Sequence, residues 1–119
     1  MHAENQDIIY KLREHFKAMG RTDLAVWSDH RPTICEEECL TRAIYISRAV
    51  KTVRPPPPLY VCHMSAGGSV DIVARYRASG EIPLYVETCP SYLLLTKHEA
   101  RLGTLGKVNP PLRDKEDCE

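Results

Sequence analysis

Leu59-Tyr-Val-Cys-His63-Met-Ser-Ala-Gly-Gly68 decides the reading of this chain. A short apolar run ends in a histidine, and a turn of small residues follows. An amphipathic segment over 69–79 comes next, with Val70, Val73 and Tyr76 (or Arg77) joined by Ile72 and Ala74 as its expected buried side, and is closed by Gly80. This is a buried strand, a loop and a helix, with His63 at the C-terminal end of the strand. In parallel α/β folds, functional side chains gather at that end. A second histidine, His2, stands in His2-Ala-Glu-Asn5.

Downstream, residues 82–88 form the next apolar run, Ile-Pro-Leu-Tyr-Val-Glu-Thr. Its proline sits at the start, where a strand tolerates it, and Cys89-Pro90 ends it. A short helix is expected over 97–102, an extended stretch over 107–113, and a helical first turn at Asp114-x-x-Asp117. Upstream, Ile8, Ile9, Leu12 and Phe16 share one face of a helix over 6–19. Asp7 suits its positive end and Gly20 stops it. Thr33-x-x-Glu36 reads as a capping box opening a helix over 34–50. Leu40, Ala43, Ile44 and Ser47 make its inner stripe, with Glu36, Glu37, Arg48 and Lys51 elsewhere. Four consecutive prolines within 51–58 end that helix and favour extended polyproline. They mark a loop or an insertion.

The order helix–helix–strand–helix–strand, with near-continuous apolar strands, is the pattern of a parallel α/β fold. A (β/α)8 barrel takes about 250 residues, so the 119 present here cover at most half of one.

Composition excludes several classes. Lysine plus arginine equals aspartate plus glutamate, 16 each. A nucleic-acid binder would show a basic excess. No apolar run is long enough to span a bilayer. The polar start is unlike a secretory signal, which favours the cytoplasm. Five cysteines cannot all pair, and no Cys-x-x-Cys occurs, so free thiols are expected. His15 and His98 are expected to face solvent, His30 to tether its loop, and Glu4 and Asn5 to fix the turn after His2.

Six motifs stand in order: His2-Ala-Glu-Asn, Arg31-Pro with Glu36-x-Glu38, Arg42-Ala-Ile, Leu59-Tyr-Val-Cys-His63-Met-Ser, Glu87-Thr-Cys-Pro-Ser-Tyr-Leu-Leu-Leu and Asn109-Pro-Pro-Leu-Arg113. Together they resemble the dihydropyrimidinase and hydantoinase branch of the amidohydrolase superfamily over almost the whole chain. The resemblance implies an α/β fold that is part of a (β/α)8 TIM barrel, from the tip of strand 5 to the segment after strand 7. Residues 1–119 would then be a fragment of the catalytic barrel, with 51–58 as a proline-rich loop or insertion.

The resemblance also implies a site with two divalent metals, usually zinc, Zn(2+). His2 matches the strand 5 ligand and His63 the strand 6 ligand of the same metal. Asn109 matches the residue that contacts the cyclic imide through backbone groups; many hydantoinases have serine there. The strand 1 His-x-His motif, the bridging lysine, the substrate tyrosine and the strand 8 aspartate have no match in the chain, so no catalytic residue is assigned within it. The implied parent reaction, in pyrimidine catabolism, hydrolyses a cyclic amide C–N bond to an N-carbamoyl amino acid. The parent is expected to be a homo-oligomer, usually a tetramer, acting on a cyclic amide or imide without nucleic acid or membrane. The chain alone is expected to be inactive. The alternatives are a non-catalytic dihydropyrimidinase-related scaffold and one half of a split enzyme. Retention of both histidines favours the catalytic branch.

Overall fold

The computed structural model describes residues 1–119, the side chain of residue 100 excepted. Helix α1 spans Gln6–Ala18. Asn5 opens it, its Oδ1 accepting from the backbone N–H groups of Asp7 and Ile8 at 3.0 and 3.1 Å. This satisfies donors that the first helical turn leaves without partners. A one-turn helix, α2, spans Val26–Asp29, and the long helix α3 spans Thr33–Val50. Residues 55–58, all proline, carry no regular secondary structure and lead into strand β1, Leu59–Val61. Helix α4 follows at Gly67–Ser79, strand β2 at Leu84–Val86 and helix α5 at Pro90–Leu94. Two 3-10 segments, Ala100–Gly106 and Lys115–Asp117, complete the order. Gly80 ends α4 with φ +63°, a left-handed cap that glycine adopts without strain.

β1 and β2 are parallel, with Leu59 opposite Leu84, Tyr60 opposite Tyr85 and Val61 opposite Val86. On the far side of β1 the start of the chain adds a third parallel rung. The Met1 amino group donates to the Tyr60 carbonyl, and Cys62 N–H donates to the Met1 carbonyl at 3.0 Å. His2 is thereby carried to the same end of the sheet as His63. α3 and α4 pack on each other and on the strands. The core between them comprises Ala3, Leu40, Ile44, Val61, Met64, Val73, Ile82 and Leu84. Alternation along each strand turns Tyr60 and Tyr85 away from that core, where they remain 49% and 53% exposed. Among the described residues no helix is long and apolar enough to cross a membrane.

Several expectations are corrected in detail. Thr33 is not a cap: Pro32 holds that position without a side-chain bond, and Glu36 is buried and points elsewhere. Val70 and Ala74 on α4 are exposed, while Ser69 and Val73 face inward. The segment expected as a helix over 97–102 is the 3-10 turn Ala100–Gly106, which breaks at Gly103.

His30 is buried at the end of α2, and its ring Nδ1 donates to the Val26 carbonyl. Burial pushes its pKa below the usual imidazole value. The fold therefore holds the neutral ring, and protonation favours the unfolded chain. Its stabilising effect is complete above about pH 6.5 and declines as pH falls through the lower folded-state value. Urea midpoints should drop between about pH 7 and pH 5, and His30→Gln should flatten that slope. An equal slope in the variant would assign the effect to other groups.

Candidate functional site

His63 follows β1 after Cys62, at φ +41°, a left-handed conformation that a non-glycine residue rarely takes. The positions after it are tied down from two sides. Met64 N–H donates to the Glu87 carbonyl at 2.8 Å, and the Thr88 hydroxyl donates to the Met64 carbonyl at 2.7 Å. From α3, the Glu36 carboxylate accepts from Ser65 N–H at 3.0 Å, from the Ser65 hydroxyl at 2.7 Å and from Ala66 N–H at 3.0 Å. Glu36 is 1% exposed. Its charge faces Arg113, whose guanidinium nitrogen lies 3.9 Å away and whose Nε donates to the Ser65 hydroxyl at 3.0 Å. A backbone conformation costing about 1–3 kcal/mol persists only where its surroundings over-determine it, and here they do.

His2 and His63 meet. His2 Nδ1 lies 3.2 Å from His63 Nε2, and the ring centroids are 4.8 Å apart. Two nitrogen ligands at about 2.0–2.1 Å from one tetrahedral ion would stand about 3.3–3.4 Å apart. The observed spacing fits one shared cation. The outer nitrogen of His2, Nε2, lies 2.7 Å from Glu4 Oε2, and the Glu4 side chain is fully buried. Glu4 in turn pairs with Arg31 Nη1 at 2.6 Å. Carboxylates so placed behind imidazoles set ring orientation in metal sites. His63 Nδ1 is buried without a partner. Among the described residues no group of three or more His, Cys, Asp or Glu side chains is placed to hold a metal; the two imidazoles are a pair.

Asn109 is exposed, on the stretch between the two 3-10 segments. No hydrogen bond joins it to His2 or His63. Its neighbours anchor that stretch: Trp27 Nε1 donates to the Val108 carbonyl at 3.0 Å, and the Tyr92 hydroxyl donates to the Pro110 carbonyl at 2.8 Å. Tyr92 is buried, which raises its phenol well above the usual value. Glu87 accepts from the Tyr60 hydroxyl at 2.6 Å and stays exposed. His15 and His98 face solvent, His98 against Asp114 at 2.9 Å.

No family model matches the chain. Among curated proteins, an allantoinase of Solibacter usitatus is 33% identical over 120 residues, covering 100% of this chain and 25% of its own length. An allantoinase of Salmonella paratyphi B is 35% identical over 118 residues, covering 98% and 25%. Among solved structures, the dihydropyrimidinase from Brevibacillus agri NCHU1002 superposes with a TM-score of 0.87 at 33% identity. The L-hydantoinase (dihydropyrimidinase) from Arthrobacter aurescens gives 0.86 at 32%, and each alignment covers 98% of this chain and 25% of the other.

The chain is a homologue of the cyclic amidohydrolases. It spans about a quarter of the length of the relatives it matches. The hydantoinases are TIM-barrel amidohydrolases, and the homologous quarter is a partial α/β unit with parallel strands. The sequence placed His2 and His63 together and expected Glu4 and Asn5 to fix the turn between His2 and α1. It missed Glu36. The signal was present: Glu36, Leu40, Ile44 and Ser47 follow one helical stripe, and all four are buried. A carboxylate on an apolar stripe needs a buried partner, and Ser65 with Arg113 supplies it.

Proposed function

We propose that residues 1–119 are the two-histidine arm of a metal-dependent cyclic amidohydrolase, spanning barrel strands 5 to 7, and that the assembled enzyme opens a cyclic ureide ring. The observation that carries this reading is the pair His2 Nδ1 and His63 Nε2, 3.2 Å apart and backed by the buried Glu4. The resident group would be zinc, two ions in the complete centre, with His2 and His63 as ligands of one. Such an ion, when bound, polarises a carbonyl oxygen and brings the pKa of water toward neutrality.

The chain's own residues hold and orient. Glu4 keeps His2 turned toward His63. Glu36 and Arg113 fix the turn that carries His63. Asn109 offers backbone groups to the ring. The remaining ligands and the proton-transferring group belong, on this reading, to parts of the barrel outside the matched quarter. Two protein ligands are fewer than the three a catalytic zinc usually has, so this chain by itself should bind metal weakly and turn over no ring. The relatives include both allantoinases and dihydropyrimidinases, so this reading spans five- and six-membered rings of the ureide class; the complete enzyme would be a homo-oligomer.

The test has two arms. Cobalt(II) titration of the chain should give a weak one-ion spectrum that His2→Ala or His63→Ala removes. Placing the chain in the matching quarter of the Brevibacillus agri dihydropyrimidinase should retain ring opening, and His63→Ala in that chimera should abolish it. A folded, metal-loaded chimera inert toward hydantoin, dihydrouracil and allantoin would overturn the proposal.

A further inference from the structure

Glu4 is the most completely enclosed charged side chain near the histidine pair, with no exposed side-chain surface. A carboxylate in that position is strongly disfavoured unless paired. It has two partners, and they differ in kind. Arg31 Nη1 at 2.6 Å neutralises it. His2 Nε2 at 2.7 Å is oriented by it. Arg31 is itself held in place: its guanidinium lies over the Trp27 ring at 4.8 Å, and its carbonyl accepts from Arg113 Nη1. Arg113 then reaches the Ser65 hydroxyl, two residues after His63, and the Glu36 carboxylate that holds the same turn. The two histidine arms are therefore joined through protein, by His2–Glu4–Arg31 on one side and Arg113–Ser65–Glu36 on the other.

We infer that Glu4, locked by Arg31, is a positioning residue that holds His2 as the Nε2–H tautomer and so presents a bare Nδ1 toward His63 before any metal arrives. The inference deepens the ligand reading above and rests on it only for its second readout. The chemistry is one of complementary groups. An arginine-paired carboxylate accepts hydrogen bonds and donates none, so the imidazole nitrogen facing it carries the proton. In a neutral ring the other nitrogen is then unprotonated. That nitrogen is Nδ1, the atom 3.2 Å from His63. Without Glu4, the ring would exchange freely between two tautomers and two ring orientations. Only one of those combinations would present a lone pair to a shared cation.

The first readout needs no metal. In the complete chain at about pH 8, where imidazole is neutral, 15N spectra of histidine-labelled protein should show His2 Nδ1 unprotonated and Nε2 protonated. Glu4→Ala should give the averaged signal of two exchanging tautomers. Glu4→Gln, which can still accept through its amide oxygen and guards against a failure to fold, should keep the Nε2–H tautomer. Arg31→Lys should loosen it, because a lysine cannot pair with Glu4 and lie flat on Trp27 together. The second readout is cobalt(II) affinity, which should fall about 10–100-fold in Glu4→Ala and less in Glu4→Gln. A wild-type His2 found as the Nδ1–H tautomer, or a tautomer unchanged in Glu4→Ala, would overturn the inference. The expected tautomer pattern without any cobalt binding would leave Glu4 as the positioning residue and remove the ligand reading instead.

Discussion

Replacing Glu36 by alanine is expected to lower the stability of this chain by about 3–5 kcal/mol, the usual cost of removing one partner from a buried charge pair. The carboxylate satisfies two backbone N–H groups and one hydroxyl in the turn after His63. It also faces a guanidinium that is only 5% exposed at Arg113. Alanine would leave both backbone N–H groups without their acceptor and the Arg113 guanidinium without its countercharge. Small domains are stable by only about 5–15 kcal/mol, so the variant should be largely unfolded under mild denaturant. Glu36→Gln keeps one acceptor and should lose less. Glu14→Ala, on an exposed site of α1, should stay within about 0.5 kcal/mol of the parent. Urea midpoints measure all three, and amide exchange at Ser65 and Ala66 localises the loss. An unchanged midpoint for Glu36→Ala would mean that the His63 turn is set by its β-strand ties alone.

The second large effect concerns association. One face of the sheet is covered by α3 and α4, and the other shows the cross-strand pair Tyr60 and Tyr85. Parallel sheets are ordinarily covered on both faces, and strands with unpaired edges invite further pairing. On α3, Ile34, Tyr45 and Ile46 are at least half exposed as well. At micromolar concentration the chain should therefore sediment as species larger than a monomer. Tyr60→Thr with Tyr85→Thr keeps residues that suit a strand while removing the apolar rings, and it should shift the distribution toward monomer. A wild-type chain that sediments as a monomer and unfolds in one sharp transition would refute this expectation.

The parts of this fold set by local pattern were legible in the residues. The strand–turn–helix around His63, the proline break and the helix stop at Gly80 each rest on neighbours in sequence. The pairing of His2 with His63 was legible through the register of six motifs, since no local pattern links positions 61 residues apart. What escaped was the direction of polar side chains. Thr33 and Glu36 have the spacing of a capping box, yet Glu36 satisfies donors 29 and 30 residues away. Both arrangements use the same carboxylate, and sequence spacing alone does not separate them. Arg113 finds its carboxylate on helix α3 at Glu36, a pairing set by burial rather than by any local pattern. The tautomer of His2 was likewise out of reach, because it depends on Glu4 being enclosed rather than solvated.

The single tryptophan gives the molecule a built-in optical gauge. Trp27 is stacked under Arg31, approached by Lys107 at 5.6 Å, and fastened through its indole N–H to the carbonyl of Val108. The segment that carries Asn109 and the arginine that locks Glu4 thus converge on one fluorophore. Peeling the 107–113 stretch from α2 would hydrate the indole and move its emission to the red. Loss of the Arg31 stack would alter its intensity through a nearby charge. One cuvette measurement can therefore follow both the docking of the 107–113 stretch and the seating of the arginine beside Glu4, with no label added.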